Sequence, residues 1–302
     1  MKQLQALQEQ FGSHTHIRFE ALDSGLILIH VDQPLATATL CLQGGQILEW
    51  HPRSQHSPVL WRTELKEFAK DRPIRAGVPI CWPWFGPHPT LNTAPSHGYA
   101  RVSSWDLSEI SKTPNGETVI CMTMCDAPAS LEQHVLSAAL SIRISIGETL
   151  SISLSTTNTD TQATTITEAL HAYFYVSDIR QVSIQGLNGC EYVDLIDHNV
   201  VKSQSGPVTF SGETGSVYIN TQKDCLIVDR ELGRAIMVEK FESQTTVVWN
   251  PWAVTASTMD DLGPTGWQTM VCVESANALN NAVMLGAGEA HTLSVKYSVQ
   301  TV

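Results

Sequence analysis

One acidic side chain interrupts an otherwise apolar strand pattern: Glu274, in Met270-Val-Cys-Val-Glu-Ser-Ala-Asn277. A carboxylate in such company needs a partner or a purpose, because burying it unpaired is costly. The run Val247-Val-Trp-Asn-Pro-Trp252 just before it supplies aromatic walls, Trp249 among them. His171 lies in Thr167-Glu-Ala-Leu-His-Ala-Tyr-Phe-Tyr175, at the end of another apolar strand pattern. An imidazole and a carboxylate facing each other across a cleft are a general acid–base pair. The bland alternative is a core histidine satisfied by hydrogen bonds.

The segment Arg75 to Arg101 adds a second kind of chemistry. It reads Arg75-Ala-Gly-Val-Pro-Ile-Cys-Trp-Pro-Trp-Phe-Gly86, then a short loop, then His97-Gly-Tyr-Ala-Arg101. Proline removes a backbone donor and glycine weakens a helix, so a folded loop or short strands are expected here. Rigid indoles beside fixed guanidinium groups suit a ligand with an apolar sugar face and an anionic tail. The planar fork of arginine grips phosphate or carboxylate through two parallel bonds. His97 stands inside this aromatic loop. The other histidines (14, 16, 30, 51, 56, 88, 134, 198 and 291) stand in polar or turn contexts and read as surface or structural residues. His14 and His16 have metal-ligand spacing on a strand, but no third ligand is nearby in the sequence.

These residues need a scaffold, and the chain is long enough to build one. Its 302 residues are 42% hydrophobic, enough for a large core in a soluble globule. No run is long and apolar enough to span a membrane. The polar N-terminus lacks the layout of a signal peptide. Seven widely spaced cysteines make no disulfide framework, so free core thiols and a cytoplasmic location are expected. Cys121 and Cys125 fall in what reads as a buried strand. The net charge of −12 would repel a polyanion, which argues against nucleic acid. Arg62, Lys66, Lys70, Arg72 and Arg75 nevertheless cluster, with Glu64, Glu67 and Asp71 among them. A solvated face of internal ion pairs accounts for most of these.

Leu4, Leu7 and Phe11 predict a helix over about 1–11, with Gly12 as its stop. Beyond it the pattern is β. Ser141–Ile146 and Leu150–Leu154 alternate strictly around Gly147-Glu-Thr, a hairpin with one face buried. Further strands are expected at Leu26–Val31, Ala38–Leu42, Thr164–Ala169, Val182–Gln185, Cys225–Asp229, Ala235–Glu239, Thr245–Trp249, Thr269–Glu274 and Thr292–Val299. No long amphipathic helix intervenes, so the expectation is one large antiparallel, all-β sandwich domain over 1–302.

In the order of its motifs the chain resembles the glucose-6-phosphate 1-epimerases (hexose-6-phosphate mutarotases), within the aldose 1-epimerase superfamily. The resemblance runs from about Gln43 to Val299. It rests on Gly44-Gly45-Gln46, the Arg75–Gly86 run, His97-Gly-Tyr-Ala-Arg101, His171-Ala-Tyr-Phe, Val248-Trp-Asn-Pro-Trp252 and Met270–Ala276. It implies a galactose-mutarotase-like β-supersandwich. It also implies cofactor-independent interconversion of the α and β anomers of a hexose 6-phosphate; a monomer without metal is expected. Glu274 would be the base and His171 the acid; a nearby carboxylate would favour the protonated imidazole. His97 would position the sugar ring, Arg75 and Arg101 would clamp the phosphate, and the tryptophans would form a stacking wall.

The resemblance breaks at Glu213-Thr-Gly-Ser-Val-Tyr218, where Gly215 replaces an acidic residue that binds sugar hydroxyls in the family. Either Glu213 moves in or the preferred sugar differs. Two alternatives stay open: a non-catalytic sugar-phosphate-binding protein, and an epimerase of unphosphorylated aldoses.

Overall fold

A computed structural model describes residues 2–63, 68–126 and 135–302. His134, Lys66, Glu64 and Glu67, noted above, lie outside the described residues. The N-terminal helix spans Lys2–Phe11, and Leu7 and Phe11 point into the core. It ends where the Gly12 N–H bonds the Gln8 carbonyl, and a Cβ on Gly12 would stand 2.3 Å from that oxygen.

The strands form antiparallel ladders, as the alternating patterns predict. Two eight-stranded sheets dominate. One, the cover sheet, runs Ser183–Gln185, Cys225–Asp229, Arg234–Phe241, Ala290–Thr301, Leu150–Asn158, Ala138–Ile146, Thr118–Asp126 and Ser104–Lys112. Its central hairpin is the one expected: Ile142, Ile144, Ile146, Leu150, Ile152 and Leu154 are all buried. Each such burial contributes about 1.5–3 kcal/mol.

The other, the site sheet, runs Val200–Ser203, Glu191–Asp194, Thr214–Tyr218, Thr245–Asn250, Met270–Asn277, Glu168–Leu170 and Ile80–Cys81, with Tyr173–Tyr175 also on Met270–Asn277. The two sheets meet through contacts such as Phe174 against Tyr297, edge to face at 5.1 Å. A four-stranded meander (Ile17–Ala21, Ile27–Asp32, Ala36–Cys41 and Gln46–Pro52) and a small two-stranded ladder complete the fold. Among the described residues no helix is long and apolar enough to cross a membrane.

Several expectations need correction. The run Thr164–Ala169 is not one strand. Thr164–Ile166 pairs with Val283–Leu285, whereas Glu168–Leu170 enters the site sheet. Thr167 makes the break, bonding the Pro83 carbonyl through its N–H and accepting the Phe85 N–H on its hydroxyl. Glu191–Asp194 and Val200–Ser203 escaped notice because they are short and hold no fully buried residue, at the edge of the site sheet. His14 and His16 stand in the turn before the first strand, not on a strand. All seven cysteines are described and none is in a disulfide. Cys121 is half-buried and Cys125 exposed, because odd-numbered positions of that strand from 121 onward turn outward.

Candidate active site

The site is built where one ladder opens. Leu170 pairs with Ser275 and Tyr173 with Cys272, so both sides of the gap keep one antiparallel register. That register sets His171 opposite Glu274. Across the gap the His171 N–H turns away to the Pro79 carbonyl at 2.9 Å. The side chains meet on the same face, with His171 Nε2 3.3 Å from Glu274 Oε1. Both are buried, at 7% and 1% exposure.

The surroundings explain how this pair holds protons. Cys81, Ala169, Val217, Val247 and Ala276 form an apolar floor on that face. Burial therefore raises the Glu274 carboxyl well above the ordinary carboxylate range, with Arg101 opposing. Burial also pushes His171 well below the usual imidazole value, and His97, Arg101 and Arg75 add to it. The expectation that the carboxylate holds His171 protonated is thus corrected, because burial disfavours the charged form of both groups. His171 Nδ1 and Glu274 Oε2 are buried without a hydrogen-bond partner among the described residues.

His97 arrives from the Arg75–Arg101 segment, which folds as the proline–glycine pattern predicts. Its short strand Ile80–Cys81 edges the site sheet, and Trp82 bridges to Gly98. Gly98 has φ +71°, and a Cβ there would lie 1.9 Å from the Trp82 carbonyl oxygen, so only glycine fits. His97 itself has φ 65°, a conformation that costs a non-glycine residue about 1–3 kcal/mol. Reciprocal bonds hold it there: its N–H donates to the Gly86 carbonyl and its Nδ1 accepts the Gly86 N–H at 3.2 Å. With Nδ1 as acceptor, Nε2 carries the proton. Burial, then Arg101 and Arg75, lower its pKa to about 3. The His97 ring stands 5.8 Å from that of His171.

Trp249 lies across the Tyr173 and His171 rings, edge to face at 6.3 and 6.2 Å. The Arg75 guanidinium is 5.9 Å from the Trp249 ring and donates to Asp261 and to the Tyr173 hydroxyl. Arg101 donates to the Ser96 carbonyl, and its charge reaches His97, His171 and Glu274. The six residues singled out in the sequence therefore converge.

Other sequence candidates do not join them. Trp82 is fully buried and donates to Thr156, while Trp84 donates to the Pro95 carbonyl, so both serve the core. Glu213 accepts a bond from the Thr255 hydroxyl. Gly215 pairs with Trp249, and a Cβ on it would meet Ile196 and Leu195 at 3.3 and 3.4 Å. Two residues were missed. Tyr173 stacks on His171 at 4.9 Å and 15°, and lay unremarked inside a quoted motif. Asp261, in a polar turn, carried no local signal.

The chain has relatives in sequence and in fold. It is 35% identical over 257 residues, 84% of each chain, to an Escherichia coli (strain K12) protein provisionally named glucose-6-phosphate 1-epimerase. A solved Salmonella typhimurium structure, provisionally described as a mutarotase, superposes with a TM-score of 0.87 at 30% identity, covering 95% of both chains. A galactose mutarotase-like protein of Clostridium acetobutylicum shares the fold at 15% identity, with a TM-score of 0.71 over 95% of this chain and 98% of its own. Residues 28–298 match the aldose 1-epimerase family model, and the chain belongs to that family.

Proposed function

We propose that the protein interconverts the α and β anomers of a hexose 6-phosphate, with glucose 6-phosphate as the leading substrate. The observation that carries this reading is the buried His171–Glu274 pair, one imidazole and one carboxyl 3.3 Å apart on an apolar floor. Relatives named as glucose-6-phosphate 1-epimerases support the substrate class.

Ring opening breaks the C1–O5 bond. The ring oxygen gains a proton as the C1 hydroxyl loses one, leaving an aldehyde at C1 and a hydroxyl at C5. In the proposed assignment Glu274 takes the C1 hydroxyl proton and His171 delivers one to the ring oxygen. Closure on the other aldehyde face reverses both transfers, so the pair returns to its starting state. The assignment requires the pair's proton to sit on His171. Burial opposes that first, and His97, Arg101 and Arg75 add to it in the open pocket; a phosphate bound between the arginines would remove their share. In this reading the Nε2–H of His97 would donate to the ring, and Trp249 would offer it an apolar wall.

The test is the α-to-β exchange rate of glucose 6-phosphate by NMR in wild type, His171→Ala, Glu274→Gln and Arg75→Ala. Exchange well above the buffer rate in wild type, lost in the first two variants, is expected. Arg75→Ala should raise KM for the phosphate ester. Wild-type exchange at the buffer rate would overturn the assignment.

A further inference from the structure

Arg75 reaches the site with two of its donors engaged. Nε donates to Asp261 Oδ1 at 2.9 Å and Nη1 to the Tyr173 hydroxyl at 2.8 Å. A guanidinium carries five N–H donors in one plane, so these bonds fix its orientation and leave the Nη2 end for a ligand. Asp261 lies in the turn after the short helix Trp252–Ala256, its side chain 46% exposed against 22% for Arg75. Tyr173 in turn stacks on His171. Contacts thus run unbroken from the rim at Asp261, through Arg75 and Tyr173, to the imidazole.

Charge adds a second consequence. The Asp261 carboxylate offsets Arg75 where it stands, whereas Arg101 is bonded to a neutral carbonyl. An anion meeting the two arginines therefore meets about one uncompensated positive charge instead of two. A phosphate monoester carries about −1.5 to −2 at neutral pH, and a diphosphate carries more. Two uncompensated arginines would favour the more highly charged anion.

We propose that Asp261 is a positioning and specificity-determining residue. It aims Arg75 and braces Tyr173, and it holds the site's positive charge low enough to select a phosphate monoester over a diphosphate. This rests on the reading in which Arg75 receives the substrate's phosphate.

The experiment compares wild type, Asp261→Asn and Asp261→Ala in glucose 6-phosphate exchange, with inorganic phosphate and inorganic pyrophosphate as competitors. Asparagine keeps an oxygen for the Arg75 Nε–H and removes only the charge. Asp261→Asn should hold kcat within about twofold and lower KM about three- to tenfold. Its KI for pyrophosphate should fall further than its KI for phosphate. Asp261→Ala frees the guanidinium and should lower kcat about tenfold or more. Unchanged KM and KI values in Asp261→Asn, or unchanged kcat in Asp261→Ala, would overturn the proposal. Should wild type fail to accelerate exchange, the proposed function falls. Calorimetric affinities of the same variants for phosphate and pyrophosphate then decide on Asp261: a gain favouring pyrophosphate supports it, and equal affinities refute it.

Discussion

His291 Nε2 lies 2.8 Å from Glu168 Oε1, on the reverse of the sheet whose front carries His171 and Glu274. The two faces thus hold the same pair of side-chain types with opposite proton preferences. On the reverse, the bond to Glu168 outweighs burial, Glu242 adds to it, and His291 is raised above the ordinary imidazole value. On the front, burial dominates and three neighbouring groups, His97, Arg101 and Arg75, push His171 the same way. Asn277 also donates to Glu168 Oε1 at 3.1 Å, while the second carboxyl oxygen of each pair, Glu168 Oε2 and Glu274 Oε2, has no partner among the described residues. The surroundings, not the residue types, separate this ion pair from the pair proposed to exchange protons.

The structural pair makes stability pH-dependent in a definite direction. Because the folded state raises His291, its contribution is whole below the unfolded value of about 6.5 and is lost as pH rises through the folded value. His291→Gln should therefore cost about 1–3 kcal/mol at pH 6, with a gap to wild type that narrows at higher pH. Thermal melts between pH 5.5 and 9 measure this, and a gap that widens with pH would contradict it.

Glu274 makes stability fall with rising pH in the same direction, but through burial instead of pairing. Burial raises its carboxyl, so the folded chain holds that proton more tightly than the unfolded chain does. The associated stability is whole below the unfolded value of about 4.3 and declines as pH rises toward the folded one. Glu274→Gln cannot ionise and escapes that loss. Its melting temperature should exceed that of wild type by about 2–4 °C at pH 8 and converge with it at pH 4 to 5. Exchange activity should fall about 10²–10⁴-fold in the same variant.

Two groups that act as one unit give non-additive losses. The double variant His171→Ala/Glu274→Gln should be no more than about threefold slower than the worse single variant. Exchange NMR at saturating glucose 6-phosphate checks this. A double variant whose loss equals the product of the single losses would mean that the residues act independently.

His97 should remain neutral through the working range. Its pKa of about 3 leaves no titration between pH 5 and 8, and its Nδ1 is committed to Gly86. Nitrogen NMR of the imidazoles should show a constant neutral ring protonated at Nε2. His97→Asn, which tolerates the left-handed backbone, should fold with less loss than His97→Val.

Much of the scaffold was legible because strict alternation leaves few choices. In Ser141–Ile146 and Leu150–Leu154 every second residue is a large aliphatic, and only a two-faced strand buries that set at once. The acid–base candidates showed for a related reason: Glu274 violates a buried pattern, and such violations need a cause. Trp82 and Trp84 misled because an indole looks alike in a core and on a binding wall. Its role depends on which side of the strand it leaves.

The chain alone determined the ladders, the polar exceptions within them and the family motifs, since these follow from local periodicity and residue type. The tertiary structure decided what no local pattern encodes. It set the shared register that puts His171 opposite Glu274, the burial that shifts both proton affinities, and the arrival of Asp261 at Arg75 from 186 positions away. Each depends on long-range pairing and on the local dielectric, which exist only once the sheets have closed.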